Sequence, residues 1–289
     1  MIRTVLFFGD SNTRGYGVGR ERRFSSLVEK ALAPTIGSAW RFVVTGTQSD
    51  FRMIPERLEK AVLANQPDIV VWQIPTGPCA YFPRYPTWLR PLRVAYEALF
   101  ERWLEFKIRG DVARRGGVVG ESARHEALYE GLYLDQVYRW RPSAWPGTRH
   151  VNGWLAARYG LEVKATRERY LELVVRYSDR MRALSDARQL ILGLLLHSDD
   201  MFPGYCKRAL AWGRDLDGLL HQPERGRFYL ELCAPLMQAG AARNLLHDGT
   251  HLSVDGHRCV ADLVTPLLQS LLAERGGPAG ARESRDSAT

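Results

Sequence analysis

The stretch Val5-Leu6-Phe7-Phe8-Gly9-Asp10-Ser11-Asn12-Thr13 places four consecutive apolar side chains directly before a Gly-Asp step. An unbroken apolar run, without polar–apolar alternation, is what a strand buried on both faces requires. Gly9-Asp10 then turns the chain and leaves Ser11 at the carboxyl end of that strand. Ile69–Trp72, after Pro67-Asp68, repeats the pattern, and Leu190–Leu196, Phe228–Leu232 and Arg41–Val44 supply further strand candidates. Helical spacing separates them: Leu58, Ala61 and Val62 share one face, as do Leu171, Val174, Val175, Ser178 and Met181, and later Val260, Leu263, Val264, Leu267 and Leu271. Buried strands alternating with helices predict an α/β fold with a parallel sheet covered on both faces. Ligands of such sheets sit beyond the carboxyl ends of the strands, so the residues after Phe8 and Trp72 are the first to inspect for chemistry.

The chain has 289 residues, 45% hydrophobic and 25% charged, enough apolar material for a sizeable core. That composition excludes a disordered chain and a disulfide-stapled miniprotein. No apolar run approaches the ~18 residues of a membrane span. The apolar run Thr4–Phe8 is shorter than the roughly seven residues of a signal-peptide core, and the chain reads as cytoplasmic. Cys79, Cys206, Cys233 and Cys259 form no Cys-x-x-Cys pair and read as buried free thiols of a reducing compartment. Net charge is +8, with only 5 lysines among 40 basic residues. The basic residues are interspersed with acids, and no zinc-finger, RNP-like or basic-stripe pattern exists, so nucleic acid is not an expected partner.

One stretch departs from the alternation. Residues 81–154 hold 14 of the 30 aromatic side chains and carry 12 basic against 8 acidic residues between Arg84 and Arg149. Leu92, Ala95, Tyr96, Leu99, Trp103 and Phe106 predict an amphipathic helix, and a second is expected within 121–138. The stretch is too long for an ordinary loop and reads as a helical insertion acting as a cap. The expected organisation is a single domain over 1–275 with the insertion at about 81–154. A Gly/Ala/Ser-rich tail over 276–289 is expected to be disordered.

Two motifs carry chemistry. Ser11 after a tight Gly-Asp turn has the placement of an exposed nucleophile, although the same residues would serve as a β–α turn with Ser11 as helix N-cap. His247-Asp248-Gly249-Thr250-His251 precedes the last helical pattern. A serine needs a base, and the base needs an acid to hold its tautomer. Asp248 and His251 lie three apart in a turn, where both can face one cleft. A polar loop with Ser253 as N-cap is the plain alternative. A metal reading draws on His247, Asp248 and His251, but Gly249 and Gly256 oppose the single helix of an H-x-x-x-H site. Gly15-Tyr-Gly17-Val-Gly19 lacks dinucleotide-loop spacing, and Ser122 lacks the glycine and the strand of a nucleophile elbow.

Together, Gly9-Asp10-Ser11-Asn12-Thr13, Asp248-Gly-Thr-His251 and Gly256-His257 resemble the SGNH, or GDSL-type, hydrolase family. The resemblance implies a three-layer α/β/α sandwich with a flavodoxin-like parallel sheet. It implies Ser11 as nucleophile, His251 as general base and acid, and Asp248 as its orienting partner. It further implies acyl transfer from a small-molecule ester or thioester, to water or another acceptor, with no cofactor and no metal. The alternatives are a degenerate relative that binds without turnover and a metal-dependent hydrolase. The family's oxyanion hole combines the serine N–H, a glycine N–H, matched here by Gly46, and an asparagine side chain after the third strand. This chain reads Gln73-Ile74-Pro75-Thr76-Gly77-Pro78-Cys79 there, without an asparagine, and Gly77 falls nearest the expected slot. Loss of one such donor costs ~10²–10³ in rate. Two backbone donors would remain and leave the site weakened; alternatively Thr76, Gln73 or an arginine of the insertion supplies the missing donor, or the substrate or acceptor is a specialised one.

Overall fold

The computed structural model describes residues 2–36, 39–46, 54–84, 86–114, 148–163 and 165–276. Five parallel strands form the sheet: β1 Arg3–Gly9, β2 Trp40–Gly46, β3 Ile69–Gln73, β6 Arg188–Leu192 and β7 Arg227–Leu230, in the order β2-β1-β3-β6-β7. β1 therefore has a neighbour on each side, and Val5, Leu6 and Phe7 are wholly buried. Each such side chain contributes about 1.5–3 kcal/mol on leaving water, which fixes the strand that delivers Ser11. The register pairs Gly9 with Gly46, Phe8 with Trp72, and Trp72 with Ile191, so the strands end at one rim.

Helices cover both faces. α2 (Phe24–Ile36) packs on the last long helix, α10 (Val254–Gly276), on one side. On the other, α3 (Ile54–Asn65) packs on α6 (Arg167–Leu184), and α6 on α7 (Tyr205–Leu220). This is the expected α/β/α arrangement. The short α1 is Ser11–Arg14, and α8 (Cys233–Gln238) and α9 (Ala241–Asn244) lead towards the Asp248–His251 loop.

Several boundaries differ from expectation. Pairing with β7 ends after Gly193 N–H donates to Leu230, so β6 stops at Leu192, although Leu194, Leu195 and Leu196 stay buried. Apolar character extends further there than the ladder does. β7 begins at Arg227, a buried guanidinium paired with Asp179 that a hydrophobic reading does not recognise. The insertion expected over about 81–154 holds α4 (Leu89–Arg114), while α5 (Thr148–Tyr159) runs past its expected end. It is rooted by a two-stranded antiparallel ribbon, β4 (Tyr81–Pro83) and β5 (Leu161–Val163), which the helical reading missed. The helix expected within 121–138, Ser122 and the tail beyond 276 lie outside the described residues.

Candidate active site

The site is built at the strand ends from three segments. The first is the β1–α1 turn. Asp10, not Ser11, is the N-cap: its carboxylate accepts the Asn12 N–H at 2.8 Å, and Ser11 is the first helical residue. Burial raises the pKa of Asp10, against the opposing effect of that backbone donor. The turn is pinned to β3 by Gln73, whose Oε1 accepts from Asp10 N and Thr13 Oγ1, both at 3.2 Å. The Gln73 amide N donates to Ile74 O at 2.5 Å and to Asp10 Oδ2 at 3.4 Å. Gln73 is thus fully engaged and is no free donor.

The second segment is the loop before α10. Asp248 Oδ1 accepts the backbone N–H groups of Thr250 and His251, both at 3.0 Å, closing the turn on itself. Its other oxygen, Oδ2, lies 2.6 Å from His251 Nδ1. His251 Nε2 then lies 2.8 Å from Ser11 Oγ. Burial alone would push Asp248 up. The His251 charge and the three hydrogen bonds outweigh it and hold the carboxyl at about 2. An ionised Asp248 accepts from Nδ1–H and leaves Nε2 as the acceptor facing Ser11. Tyr16 stacks on the imidazole at 4.1 Å between ring centres, and Asn12 Oδ1 accepts the Leu252 N–H at 2.8 Å. These two contacts join residues 235 and 240 positions apart, and local sequence reading supplies no signal for them. Ser253 is the expected cap of α10: its hydroxyl accepts Gly256 N–H at 3.1 Å. His257 is a core residue, its Nδ1 accepting Phe24 N–H at 3.2 Å.

The third segment is Ile74–Ala80. Tyr170 donates its hydroxyl to Pro75 O at 2.8 Å, and Thr76 Oγ1 lies 3.0 Å from Nε2 of the buried His197. Nothing lies within 4 Å of a Cβ built on Gly77, so open space stands at this slot. Gly46, by contrast, allows a close approach: a Cβ there would sit 2.6 Å from Gly9 O. Among the described residues no acceptor takes the Ser11 or Gly77 N–H. Of the insertion's arginines, Arg84 is exposed and Arg90 lies 3.9 Å from Glu162. Both His251 nitrogens are engaged, by Ser11 and by Asp248, and among the described residues no three metal-ligating side chains converge. Among those residues no helix is long and apolar enough to cross a membrane.

No family model matches the chain, and no curated protein does. Solved structures do. A lipase/acylhydrolase from Enterococcus faecalis is 13% identical with a TM-score of 0.54, over 93% of this chain and 96% of its own. A Clostridium thermocellum family 3 carbohydrate esterase is 12% identical at 0.52, over 96% and 100%. The fold is that of esterases and acylhydrolases. Two structures of an acetylxylan esterase from Geobacillus stearothermophilus, at 14% and 15% identity and TM-scores of 0.51 and 0.50, each span 93% of this chain and 94% of their own. They are described as catalytic mutants, one with a histidine and one with an aspartate replaced by alanine. At these identities the likeness establishes the fold alone.

Proposed function

We propose that the protein is a serine esterase or acyltransferase of the SGNH type, acting through an acyl-serine on an ester or thioester of a small molecule. The observation that carries this is the unbroken line Ser11 Oγ, His251 Nε2, His251 Nδ1, Asp248 Oδ2, with spacings of 2.8 and 2.6 Å. In the Geobacillus esterase the aspartate and histidine named as catalytic also stand three residues apart. Ser11 gives its proton to His251 Nε2 as Oγ bonds to the acyl carbon and the carbonyl π pair moves onto oxygen. Collapse breaks the bond to the leaving group, which takes the proton from His251. Water or another acceptor then repeats the sequence, losing its proton to His251 and releasing the acyl group. Asp248 stabilises the imidazolium formed in each half. The N–H groups of Ser11, Gly77 and Gly46 are the proposed backbone donors to the oxyanion.

The empty slot at Gly77 favours a second reading, a protein that binds an acyl ligand without turnover. Labelling with a fluorophosphonate, followed by mass mapping of the adduct, separates the two. The esterase reading expects the adduct on Ser11 and its loss in Ser11→Ala with the melting temperature preserved. An adduct on another residue, or none, overturns it. Reaction in a reducing compartment and substrate choice by the insertion belong to the same proposal. The insertion leaves the sheet at the Gln73–Cys79 turn, and Tyr81 lies under the Arg208 guanidinium at 3.7 Å, with Arg208 Nε donating to Cys79 O at 3.4 Å.

A further inference from the structure

His197 lies beyond the end of β6, buried beside the Asp248–His251 loop: Ser198 N–H donates to Gly249 O at 2.8 Å. The imidazole is held by two aromatic rings. It stacks on Tyr205 at 4.6 Å and 14°, Phe202 packs at 5.3 Å, and the Tyr205 hydroxyl is tied to Leu195 O at 2.7 Å. Burial, reinforced by the nearby His251 charge, depresses its pKa to about 3, so it is neutral under working conditions. Its only polar partner among the described residues is Thr76 Oγ1, at 3.0 Å, and Nδ1 has none. A neutral imidazole carries one proton. On Nδ1, that proton would be an orphaned buried N–H, which is rarer in folded proteins than an orphaned acceptor. On Nε2 it donates to Thr76 Oγ1. The threonine oxygen is then an acceptor, and its own O–H is released to donate elsewhere.

We propose that Thr76 donates its hydroxyl to the reacting carbonyl oxygen and that His197 is a positioning residue, its Nε2–H holding the threonine oxygen so that the O–H faces the substrate. The assignment rests on the acyl-serine reading above and extends it to the side-chain donor that Gly77 does not supply. Position supports it. Gln73 ties the start of this turn to the β1–α1 turn, Ile74 N–H donates to Leu192 O at 3.1 Å, and Tyr170 holds Pro75 O. Thr76 therefore follows a segment anchored to the serine turn through Gln73, and it bonds the imidazole whose next residue, Ser198, is tied to the His251 loop. Donation to the oxygen costs no reorganisation as charge develops, which is the condition under which a single donor has a large effect.

The test uses the full chain, p-nitrophenyl acetate and a fluorophosphonate. Thr76→Val, isosteric but without the hydroxyl, is expected to lower kcat about 10²-fold with KM nearly unchanged. Thr76→Ser is expected to recover most of that loss. His197→Phe keeps a stacking ring but no donor and is expected to lower kcat, while His197→Gln, with an amide N–H near the Nε2 position, restores part of it. A long-range proton–nitrogen NMR correlation, assigned by the signal lost in His197→Phe, reads the tautomer directly and is expected to show Nε2–H. Wild-type protein that labels at Ser11 alongside Thr76→Val at unchanged kcat overturns this inference alone, as does an Nδ1–H tautomer. Absence of wild-type labelling overturns the acyl-serine reading and this one with it. If Thr76→Val does not fold, the two His197 variants and the tautomer decide.

Discussion

Acid should unfold this protein through two buried histidines well before Asp248 protonates. His197 and His257 are both buried in neutral form, and burial holds each at a pKa of about 3. In the unfolded chain each returns to ~6.5. A histidine whose folded pKa is depressed contributes stability that is complete above the unfolded value and declines as pH falls towards the folded one. The window is therefore pH 6.5 down to 3. At pH 5 the unfolded chain has gained about 1.5 pH units of favourable protonation at each site, worth ~2 kcal/mol each at 1.36 kcal/mol per unit, or ~4 kcal/mol together. That is a large part of a typical 5–15 kcal/mol. Asp248, held at about 2, adds nothing at pH 5, because its contribution is lost only below ~4. Asp10 and Glu231, both raised by burial, oppose the trend by protonating more readily when folded. The measurement must therefore isolate a histidine. Urea unfolding at pH 7.5 and 5.0 is compared between wild type and His257→Asn, whose amide oxygen can still accept Phe24 N–H. The wild type should lose about 2 kcal/mol more than the variant between the two pH values, whatever the variant's absolute stability. Equal losses in both proteins would refute the buried-neutral assignment of His257.

Three further outcomes are expected. Asp248→Asn should lower turnover on the order of 10⁴-fold with little change in KM, because an amide cannot both fix the His251 tautomer and stabilise its charge; turnover within tenfold of wild type would remove Asp248 from the mechanism. Gly46→Ala should destabilise by roughly 1–3 kcal/mol in thermal melting, since its Cβ would meet Gly9 O at 2.6 Å and a backbone carbonyl cannot rotate away as a side chain does. Gly77→Ala should melt within about 0.5 kcal/mol of wild type, because its Cβ enters open space; a large loss would mean that the slot is closed.

What was legible in the sequence follows from the range of the forces involved. β1 and β3 were readable because both are buried on two faces and every residue from Val5 to Phe8 and Ile69 to Trp72 is apolar. Asp248 and His251 were readable because their contact is local, three residues apart and closed by backbone donors to one carboxylate. The parts that escaped are long-range and polar. Gln73 sits in an otherwise apolar strand and looks like its terminus, yet it fixes the serine turn from 63 residues away. Arg227 begins a strand because Asp179 offsets its charge. His197 is 121 residues from Thr76 and carries no motif of its own. Periodicity reports which side chains leave water, whereas a buried polar pair is specified only by where two distant elements meet. The departure at Gly77 was visible as a missing side chain, but the structure alone places a hydroxyl and its imidazole partner beside that gap. The same asymmetry explains why the residues most open to test here, Thr76 and His197, are polar groups in the interior rather than members of the recognisable motifs.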